Sequence, residues 1–239
     1  PLTMMGADIT SKNNNECAPL YINGKKLTGI HYNSPIASAQ VKSAILFAGL
    51  YADGVTSVTE PYVSRNHSEK MIQYFGGDIK TEWTTCTLTP TPLEGQKVVV
   101  PGDISSAAYL MVAGLITDNS EILVKNVGIN PTRNGIIEVI EQMGGDIKLL
   151  NMKDEMEPCA DILVKSSKLK GITIGGALIP RLIDELPIIA VMACFAECTT
   201  VMQDSQELKV KESDRIEVIV ENLQRMGADI TPPDDGMII

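Results

Sequence analysis

The sequence Met5-Gly6-Ala7-Asp8-Ile9 decides the fold, because four near-identical copies of it are spaced along the chain. The other copies are Phe75-Gly76-Gly77-Asp78-Ile79, Met143-Gly144-Gly145-Asp146-Ile147 and Met226-Gly227-Ala228-Asp229-Ile230. Their first glycines are about 70, 68 and 83 residues apart. Copies that recur at such intervals indicate an internal structural repeat.

Each later copy of this phrase follows an amphipathic run, at residues 67–74, 134–142 and 216–225. A glycine after an apolar helix end is typical of a left-handed C-cap, and the Asp-Ile that follows is typical of a strand start. Each copy is therefore predicted to end a helix and begin a strand. The segments between copies read as β-α-β-α-β-β units, which predicts an α/β fold.

The composition limits the classes of partner. The 239 residues are 44% hydrophobic and only 4% aromatic, which predicts a large aliphatic core. The net charge of −10 argues against nucleic acid or an anionic membrane as partner, but permits small anionic substrates. The sequence contains neither a membrane-length apolar run nor a recognisable signal peptide.

Cysteine and histidine usage limits redox and metal chemistry. The five cysteines contain no C-x-x-C spacing and are interpreted as reduced thiols, which predicts a cytoplasmic protein. His31 and His67 are the only histidines, so a histidine-based metal site is not expected.

The helix starts are predicted from capping residues. In the first complete unit, Ser34-Pro35 is expected to open a helix over residues 36–51, and Ser64 to cap a second helix. In the next unit, a strand is expected at 97–100 and a helix beginning at Ser105-Ser106. In the last unit, helices are expected at 184–196 and 213–226. The polar segment 84–96 predicts a domain boundary near residues 99–103.

Polar residues at these helix starts are the candidate ligand contacts. Ser38 and Gln40 lie where free backbone N–H groups and the helix dipole favour an anion, and Ser64 with Arg65 offers further donors. Ordinary capping explains serines at such positions equally simply. For Ser105-Ser106 the capping interpretation is preferred.

Three charged residues stand out in the last unit. Asp184 precedes an almost fully apolar helix, and a carboxylate beside an apolar wall can act in proton transfer, although capping is the alternative. Lys211 and Arg215 are four residues apart and would share a face if the helix reached back that far. They suit a phosphate or carboxylate, or else a solvated, salt-bridged helix start.

Four of these segments together resemble the 5-enolpyruvylshikimate-3-phosphate synthase (EPSP synthase) family, in its bacterial class with Ser-Ala-Gln. The segments are Ser38-Ala39-Gln40-Val41-Lys42-Ser43-Ala44, Ser64-Arg65-Asn66-His67-Ser68-Glu69, Asp184-Glu185-Leu186-Pro187 and Val210-Lys211-Glu212-Ser213-Asp214-Arg215-Ile216. The resemblance covers essentially the whole chain. It implies β-α-β-α-β-β units of the enolpyruvyl transferase fold, an inside-out α/β barrel, in two domains with the active site between them.

The resemblance also implies a division into domains and an activity. Residues 1–101 would be the later part of the N-terminal domain, and residues 102–239 the first two units of the C-terminal domain. The implied reaction transfers the enolpyruvyl group of phosphoenolpyruvate to the 5-hydroxyl of shikimate 3-phosphate and releases phosphate, in aromatic amino acid biosynthesis. It implies no metal or organic cofactor, small-molecule substrates and a monomeric full-length protein.

The same resemblance implies a role for each motif residue. Ser38, Ala39, Gln40 and Ser64 would bind shikimate 3-phosphate, with Arg65 close to its ring. In the last unit, Asp184 would accept the proton of the attacking hydroxyl, and Glu212 would transfer a proton at the methylene of phosphoenolpyruvate. Lys211 would contact the substrates, and Arg215 would bind the carboxylate of phosphoenolpyruvate.

Two departures qualify the resemblance. Glu207 stands where many family members have a neutral asparagine, so no role is assigned to it. Both ends of the sequence look cut, and further family ligands would lie outside residues 1–239. We therefore expect this polypeptide alone to be inactive.

Two other functions remain as alternatives. UDP-N-acetylglucosamine enolpyruvyl transferase shares the fold and the donor substrate, but the Ser-Ala-Gln and Lys-Glu-Ser-Asp-Arg segments favour the shikimate enzyme. A non-catalytic repeat module is the second alternative, and it predicts that Asp184, Lys211 and Arg215 lie on separate faces.

Overall fold

A computed structural model of the protein describes residues 1–13, 15, 17–210 and 213–239, with the backbone alone at 207 and 210. The chain divides into two compact units, unit 1 at Pro1–Val98 and unit 2 at Val99–Ile239.

Unit 1 contains one complete repeat preceded by the end of another. Its elements are β1 (Asp8–Ser11), β2 (Leu20–Asn23), β3 (Leu27–Thr28), β4 (His31–Asn33), α1 (Ala39–Gly49), β5 (Ala52–Asp53), β6 (Thr56–Thr59), α2 (His67–Tyr74), β7 (Asp78–Glu82) and β8 (Thr85–Thr89). The main sheet has the order β4-β6-β8-β7, in which β4 and β6 are parallel and the other pairs antiparallel. Two small sheets pair β1 with β2 and β3 with β5.

Unit 2 contains two further repeats. Its elements are α3 (Ile104–Ile116), β9 (Glu121–Gly128), α4 (Gly135–Gln142), β10 (Asp146–Lys153), β11 (Cys159–Lys165), β12 (Thr173–Ile174), α5 (Leu186–Ala193), β13 (Val201–Met202), α6 (Arg215–Arg225) and β14 (Met237–Ile238), with short 3₁₀ turns at Gly176–Arg181 and Gln206–Val210. The sheets have the orders β10-β11-β9 and β12-β13-β14.

Two isolated bridges extend the two sheets of unit 2 so that each matches the four-stranded sheet of unit 1. Gly102 pairs in parallel with Val127 of β9, at the place that β4 occupies beside β6. Thr231 pairs antiparallel with Ile238 of β14, at the place of β7 beside β8. The same strand order therefore recurs in all three repeats.

The four copies of the phrase adopt one backbone conformation, as predicted. Their first glycines all have positive φ, with values of 97°, 83°, 81° and 95°. After α2, the Gly77 N–H donates to Ile72 O (2.9 Å) and the Gly76 N–H to Gln73 O (3.0 Å), which is the Schellman pattern. The same pair of bonds follows α4 and α6 and closes the first copy. The first three copies lead into β1, β7 and β10, whereas the fourth leads only to the bridge at Thr231.

In unit 1, the prediction of where the helices begin was wrong. Helix α1 begins at Ala39 rather than at residue 36, because the extended Ser38 (φ −132°, ψ 108°) accepts a bond from the Val41 N–H. The Ser34 hydroxyl instead donates to Ile36 O (2.7 Å). Helix α2 begins at His67 after the N-cap Asn66, so Ser64 is not its cap.

In unit 2, the predicted helix starts were also displaced. Helix α3 is capped by Asp103, whose carboxylate accepts from the Ser106 N–H (3.0 Å), so Ser105 and Ser106 lie inside the helix. Helix α5 begins at Leu186 rather than at 184, and α6 begins at Arg215 after the cap Asp214.

One prediction about the segment between the units was wrong. The strand predicted at 97–100 is absent from these described residues, and only the isolated bridge at Gly102 follows them. The polar segment 84–96 includes β8, which pairs with β6 and β7. Its alternating buried residues Cys86 and Leu88 anchor it in the sheet.

The cores of the two units differ in size. Unit 2 has one large aliphatic cluster, which includes buried residues of α3, α4 and α5. Unit 1 has two smaller clusters, centred on Leu46 with Leu88 and on Ile45 with Val58. Within the described residues, the search for a helix long and apolar enough to cross a membrane found no candidate.

Candidate active site

The N-terminus of α1 carries three predicted ligand contacts of unit 1. Ser38 Oγ lies 3.4 Å from the Val41 N atom, and Ala39 and Gln40 form the first turn of the helix. Ser38 and Ala39 are half-buried and Gln40 is exposed. Gln40 and Val41 line an open cavity of about 740 Å³ together with residues of β1. The first turn of α1 therefore presents backbone N–H groups and an amide side chain beside a cavity.

Ser64 and Arg65 lie in the loop between β6 and α2. Ser64 is buried, and its hydroxyl donates to Glu60 Oε2 at 2.8 Å. Arg65 is half-buried and has a partner. Ser64 is thus held by a carboxylate of its own loop rather than by the backbone of α2.

Behind Ser64 lies a buried charged cluster that the sequence analysis missed, formed by Lys42, Glu60 and Glu69. The Lys42 Nζ atom lies 2.9 Å from Glu60 Oε2 and 2.8 Å from Glu69 Oε1. Their exposed fractions are 4%, 4% and 6%, so the cluster is excluded from solvent. Two carboxylates and one ammonium group leave it with one net negative charge.

The charged cluster also affects Cys86 in β8. Burial is the main cause that raises the pKa of the Cys86 thiol from 9.0 to about 11, and the charge of Glu69 adds to it. At neutral pH this thiol is therefore protonated and a poor nucleophile.

In unit 2, Asp184 and Arg215 meet although they belong to different helices. Asp184 lies in the turn before α5, and Arg215 is the first residue of α6. Arg215 Nη1 lies 3.5 Å from Asp184 Oδ1, and both side chains are partly buried. The fold thus brings together a predicted proton acceptor and a predicted anion-binding group.

The other predicted residues of this segment fall outside the described residues. Lys211 and Glu212 are not described, nor is the side chain of Glu207. Helix α6 begins at Arg215 after its N-cap Asp214, and the possible shared face with Lys211 lies outside the described residues.

A second polar cluster in unit 2 joins the starts of α3 and α5. The Ser105 hydroxyl donates a short hydrogen bond to Glu185 Oε1, and Arg133 Nη2 donates to Ser105 Oγ at 2.7 Å. The same Arg133 atom lies 2.7 Å from Asp103 Oδ1. Partial burial works to raise the pKa of Asp103, but hydrogen bonds from Ser106 and the charge of Arg133 outweigh it and lower that pKa.

The sequence contained one signal for these missed residues, which is the repeat itself. When the phrases are superimposed, Glu69 falls on Ile137 and Arg65 on Arg133. A charged residue at a position that is apolar in another repeat, such as Glu69 at the position of Ile137, indicates that its side chain lies in a polar environment. Among the described residues, the search for three or more metal-ligating side chains in one place found none.

Comparison with known proteins identifies the fold. A family model described as EPSP synthase (3-phosphoshikimate 1-carboxyvinyltransferase) matches residues 1–239. The chain is 58% identical over 241 residues to the 3-phosphoshikimate 1-carboxyvinyltransferase of Thermoanaerobacter sp. (strain X514), covering 100% of this chain and 57% of that protein. The chain is 54% identical to the 3-phosphoshikimate 1-carboxyvinyltransferase of Geobacter sulfurreducens, and the match covers 100% of this chain and 56% of that protein.

A solved structure gives the same result. The 2.37 Å structure of EPSP synthase from Acinetobacter baumannii superimposes with a TM-score of 0.90 at 47% identity, covering 99% of this chain and 54% of that one. The chain therefore spans about half the length of the relatives it matches. The predicted resemblance and fold class are confirmed, and the chain belongs to the EPSP synthase family.

Proposed function

We propose that the full-length protein transfers the enolpyruvyl group of phosphoenolpyruvate to the 5-hydroxyl of shikimate 3-phosphate and releases phosphate, and that residues 1–239 alone do not. The observation that carries this proposal is the meeting of Asp184 and Arg215, 3.5 Å apart. A carboxylate beside a guanidinium suits a reaction that moves a proton next to an anionic substrate. Family membership supports the same assignment.

Unit 1 supplies contacts for shikimate 3-phosphate in this proposal. The first turn of α1, with Ser38, Ala39 and Gln40, offers backbone N–H groups and the positive end of a helix dipole to a phosphate. Ser64 adds a hydroxyl, and Arg65 lies close to the sugar-like ring. These five residues bind the substrate rather than react with it.

Unit 2 supplies the proton transfers. Asp184 takes the proton of the 5-hydroxyl while that oxygen bonds to the central carbon of phosphoenolpyruvate, and Glu212 gives a proton to the methylene carbon, which becomes a methyl group. The C–O bond to phosphate then breaks while the Asp184 proton passes to the leaving phosphate, and the Glu212 carboxylate takes a methyl proton, which restores the double bond. Lys211 and Arg215 neutralise the phosphate and carboxylate charges during both steps.

The proposed enzyme needs no cofactor, and its oligomeric state and location are part of the proposal. Carboxylates and cations suffice for these proton transfers and for charge neutralisation, so the proposed reaction uses no metal or organic cofactor. We also propose a monomer that acts on small molecules in the cytoplasm. Sedimentation velocity would detect a dimer if the monomer assignment were wrong.

The test is calorimetric titration of shikimate 3-phosphate and of UDP-N-acetylglucosamine into the full-length protein. We expect shikimate 3-phosphate to bind and UDP-N-acetylglucosamine not to bind. Binding of UDP-N-acetylglucosamine instead would assign the sister enzyme, and binding of neither would favour a non-catalytic module. Ser64→Ala is expected to weaken shikimate 3-phosphate binding, whereas Trp83→Ala, at an exposed turn, leaves it unchanged.

A further inference from the structure

We infer that Glu60 is a positioning residue for shikimate 3-phosphate, because it takes the Ser64 proton and so orients the Ser64 oxygen to accept a hydrogen bond from a hydroxyl of the substrate. The inference rests on the proposed function, in which Ser64 is a ligand contact. Glu60 itself is buried and does not need to touch the substrate.

The first support is the geometry around Glu60 Oε2. This single oxygen accepts the Ser64 hydroxyl at 2.8 Å and the Lys42 ammonium at 2.9 Å. A hydroxyl bound to a charged acceptor is held more firmly than one bound to a neutral group. Ser64 is therefore restricted to one side-chain orientation before the substrate arrives.

The second support is the origin of Lys42. It is the fourth residue of α1, one turn after Ser38, whose side chain caps the same helix. The Lys42–Glu60 ion pair thus connects the α1 start directly to the loop that carries Ser64. The two sequence segments that are proposed to hold shikimate 3-phosphate are joined through this pair.

The third support is that the charged cluster is unfavourable for the stability of the fold. It carries two carboxylates for one ammonium group, all excluded from solvent. Among the described residues, Glu60 Oε1 and Glu69 Oε2 have no hydrogen-bond partner. Apolar residues of similar size commonly serve stability as well as or better than a buried ion pair. A functional role for Glu60 accounts for this arrangement.

Glu69 provides a matched control within the same cluster. It is equally buried and binds the same Lys42 ammonium at 2.8 Å, whereas the Ser64 hydroxyl donates to Glu60. Glu60→Met and Glu69→Met each remove one buried carboxylate and leave Lys42 with one partner. The two variants therefore differ mainly in whether Ser64 keeps its acceptor.

The experiment is titration of shikimate 3-phosphate into the full-length protein and its variants, after thermal unfolding has identified the folded ones. We expect Glu60→Met to raise the Kd about tenfold, the scale of one lost hydrogen bond to a charged group. Glu69→Met is expected to stay within about twofold of the unmodified protein. In steady-state assays, the KM for shikimate 3-phosphate rises and that for phosphoenolpyruvate does not.

A double-mutant cycle separates positioning from general disruption. If Glu60 acts through Ser64, then Glu60→Met has almost no further effect on the Kd in a Ser64→Ala background. Equal losses in Glu60→Met and Glu69→Met, or additive losses in the cycle, would overturn the inference. If Glu60→Met does not fold, Glu60→Gln takes its place, with a smaller rise in Kd expected because a neutral amide oxygen accepts the Ser64 hydroxyl less strongly than a carboxylate. Failure of the unmodified protein to bind would instead refute the proposed function.

Discussion

Units 1 and 2 share one order of elements but fill equivalent interior positions with different chemistry. The fourth residue of α1 is the buried Lys42, and the fourth residue of α3 is the buried Ala107. The third residue of α2 is Glu69, and the third residue of α4 is Ile137. Both members of each pair are excluded from solvent.

The third pair lies directly after β6 and β9, which are equivalent strands of the two repeats. Glu60 follows β6 and its N–H donates to Thr84 O, just before β8, at 2.9 Å. Ile129 follows β9 and its N–H donates to Pro158 O, just before β11, at 2.8 Å. The fold thus requires that the three positions be buried, not that they be charged. We infer that the charges of unit 1 serve the proposed binding of shikimate 3-phosphate rather than the fold.

The strongest test of this comparison removes the only cation of the charged cluster. We expect Lys42→Met to lower the free energy of unfolding by about 3–5 kcal/mol, because it leaves two buried carboxylates without compensation. Urea denaturation followed by circular dichroism measures the change.

A triple variant, Lys42→Ala with Glu60→Ile and Glu69→Ile, copies the residues of unit 2 and provides the control. It should be clearly more stable than Lys42→Met, because no buried charge remains. A triple variant as unstable as Lys42→Met would mean that the positions in the two units are not equivalent.

The second test compares what the two units contribute to turnover. We expect Asp184→Asn in unit 2 to reduce kcat for phosphate release about 10²–10⁴-fold, because an amide cannot accept the hydroxyl proton. Ser64→Ala in unit 1 should instead act mainly on the KM for shikimate 3-phosphate. A kcat within a few-fold of normal for Asp184→Asn would remove Asp184 from the proton transfer.

The third test uses one position that carries a cysteine in the sheet of unit 1 and an aliphatic residue in the equivalent sheet of unit 2. Hairpin register places Cys86 of β8 opposite Thr81, and Ile162 of β11 opposite Leu149. Because the Cys86 pKa is raised from 9.0 to about 11, the folded state keeps a proton that the unfolded state loses above pH 9. Stability should therefore fall as the pH rises from about 9 to 11, by at most about 2–3 kcal/mol.

The matched variant for this pH dependence is Cys86→Val, which resembles the aliphatic residue of unit 2. Urea titrations at pH 8, 9, 10 and 11 on both proteins isolate the thiol from the lysines and tyrosines that titrate in the same range. Parallel curves for the two proteins would contradict the assignment.

The smallest expected effect concerns the caps of α1 and α3. Asp103 accepts from the Ser106 N–H at 3.0 Å and from the Ser106 hydroxyl at 2.9 Å, and it pairs with Arg133. Ser38 accepts one bond, at 3.4 Å. We expect Asp103→Ala to cost about 1–2 kcal/mol and Ser38→Ala about 0.5 kcal/mol. Thermal unfolding measures both, and equal losses would contradict this ranking.

The sequence predicted the features that depend on local chemistry. The left-handed glycines of the phrase were predictable because few other residues tolerate positive φ, and so were the helix ends that precede them. The helix starts were less predictable. Ser34, Ser38 and Ser64 are all suitable caps by type, and only Ser38 has the backbone geometry that completes one.

The candidate site was predictable only where motif residues carried it. Asp184 and Arg215 were named from their segments, but their contact depends on how two repeats pack. The partners Lys42 with Glu60 and Ser105 with Glu185 are far apart in sequence, and no periodicity relates them. Such pairs follow from tertiary packing, which a single sequence does not specify.

The Schellman motifs have a consequence for the order of folding. Each closes a loop of only a few residues, as between Gly145 and Ile140, so little chain entropy is lost when it forms. Pairing β11 with β9 joins residues tens of positions apart and comes later for the same reason. Because the four chain reversals form independently, we expect each repeat to begin folding from its own short segment.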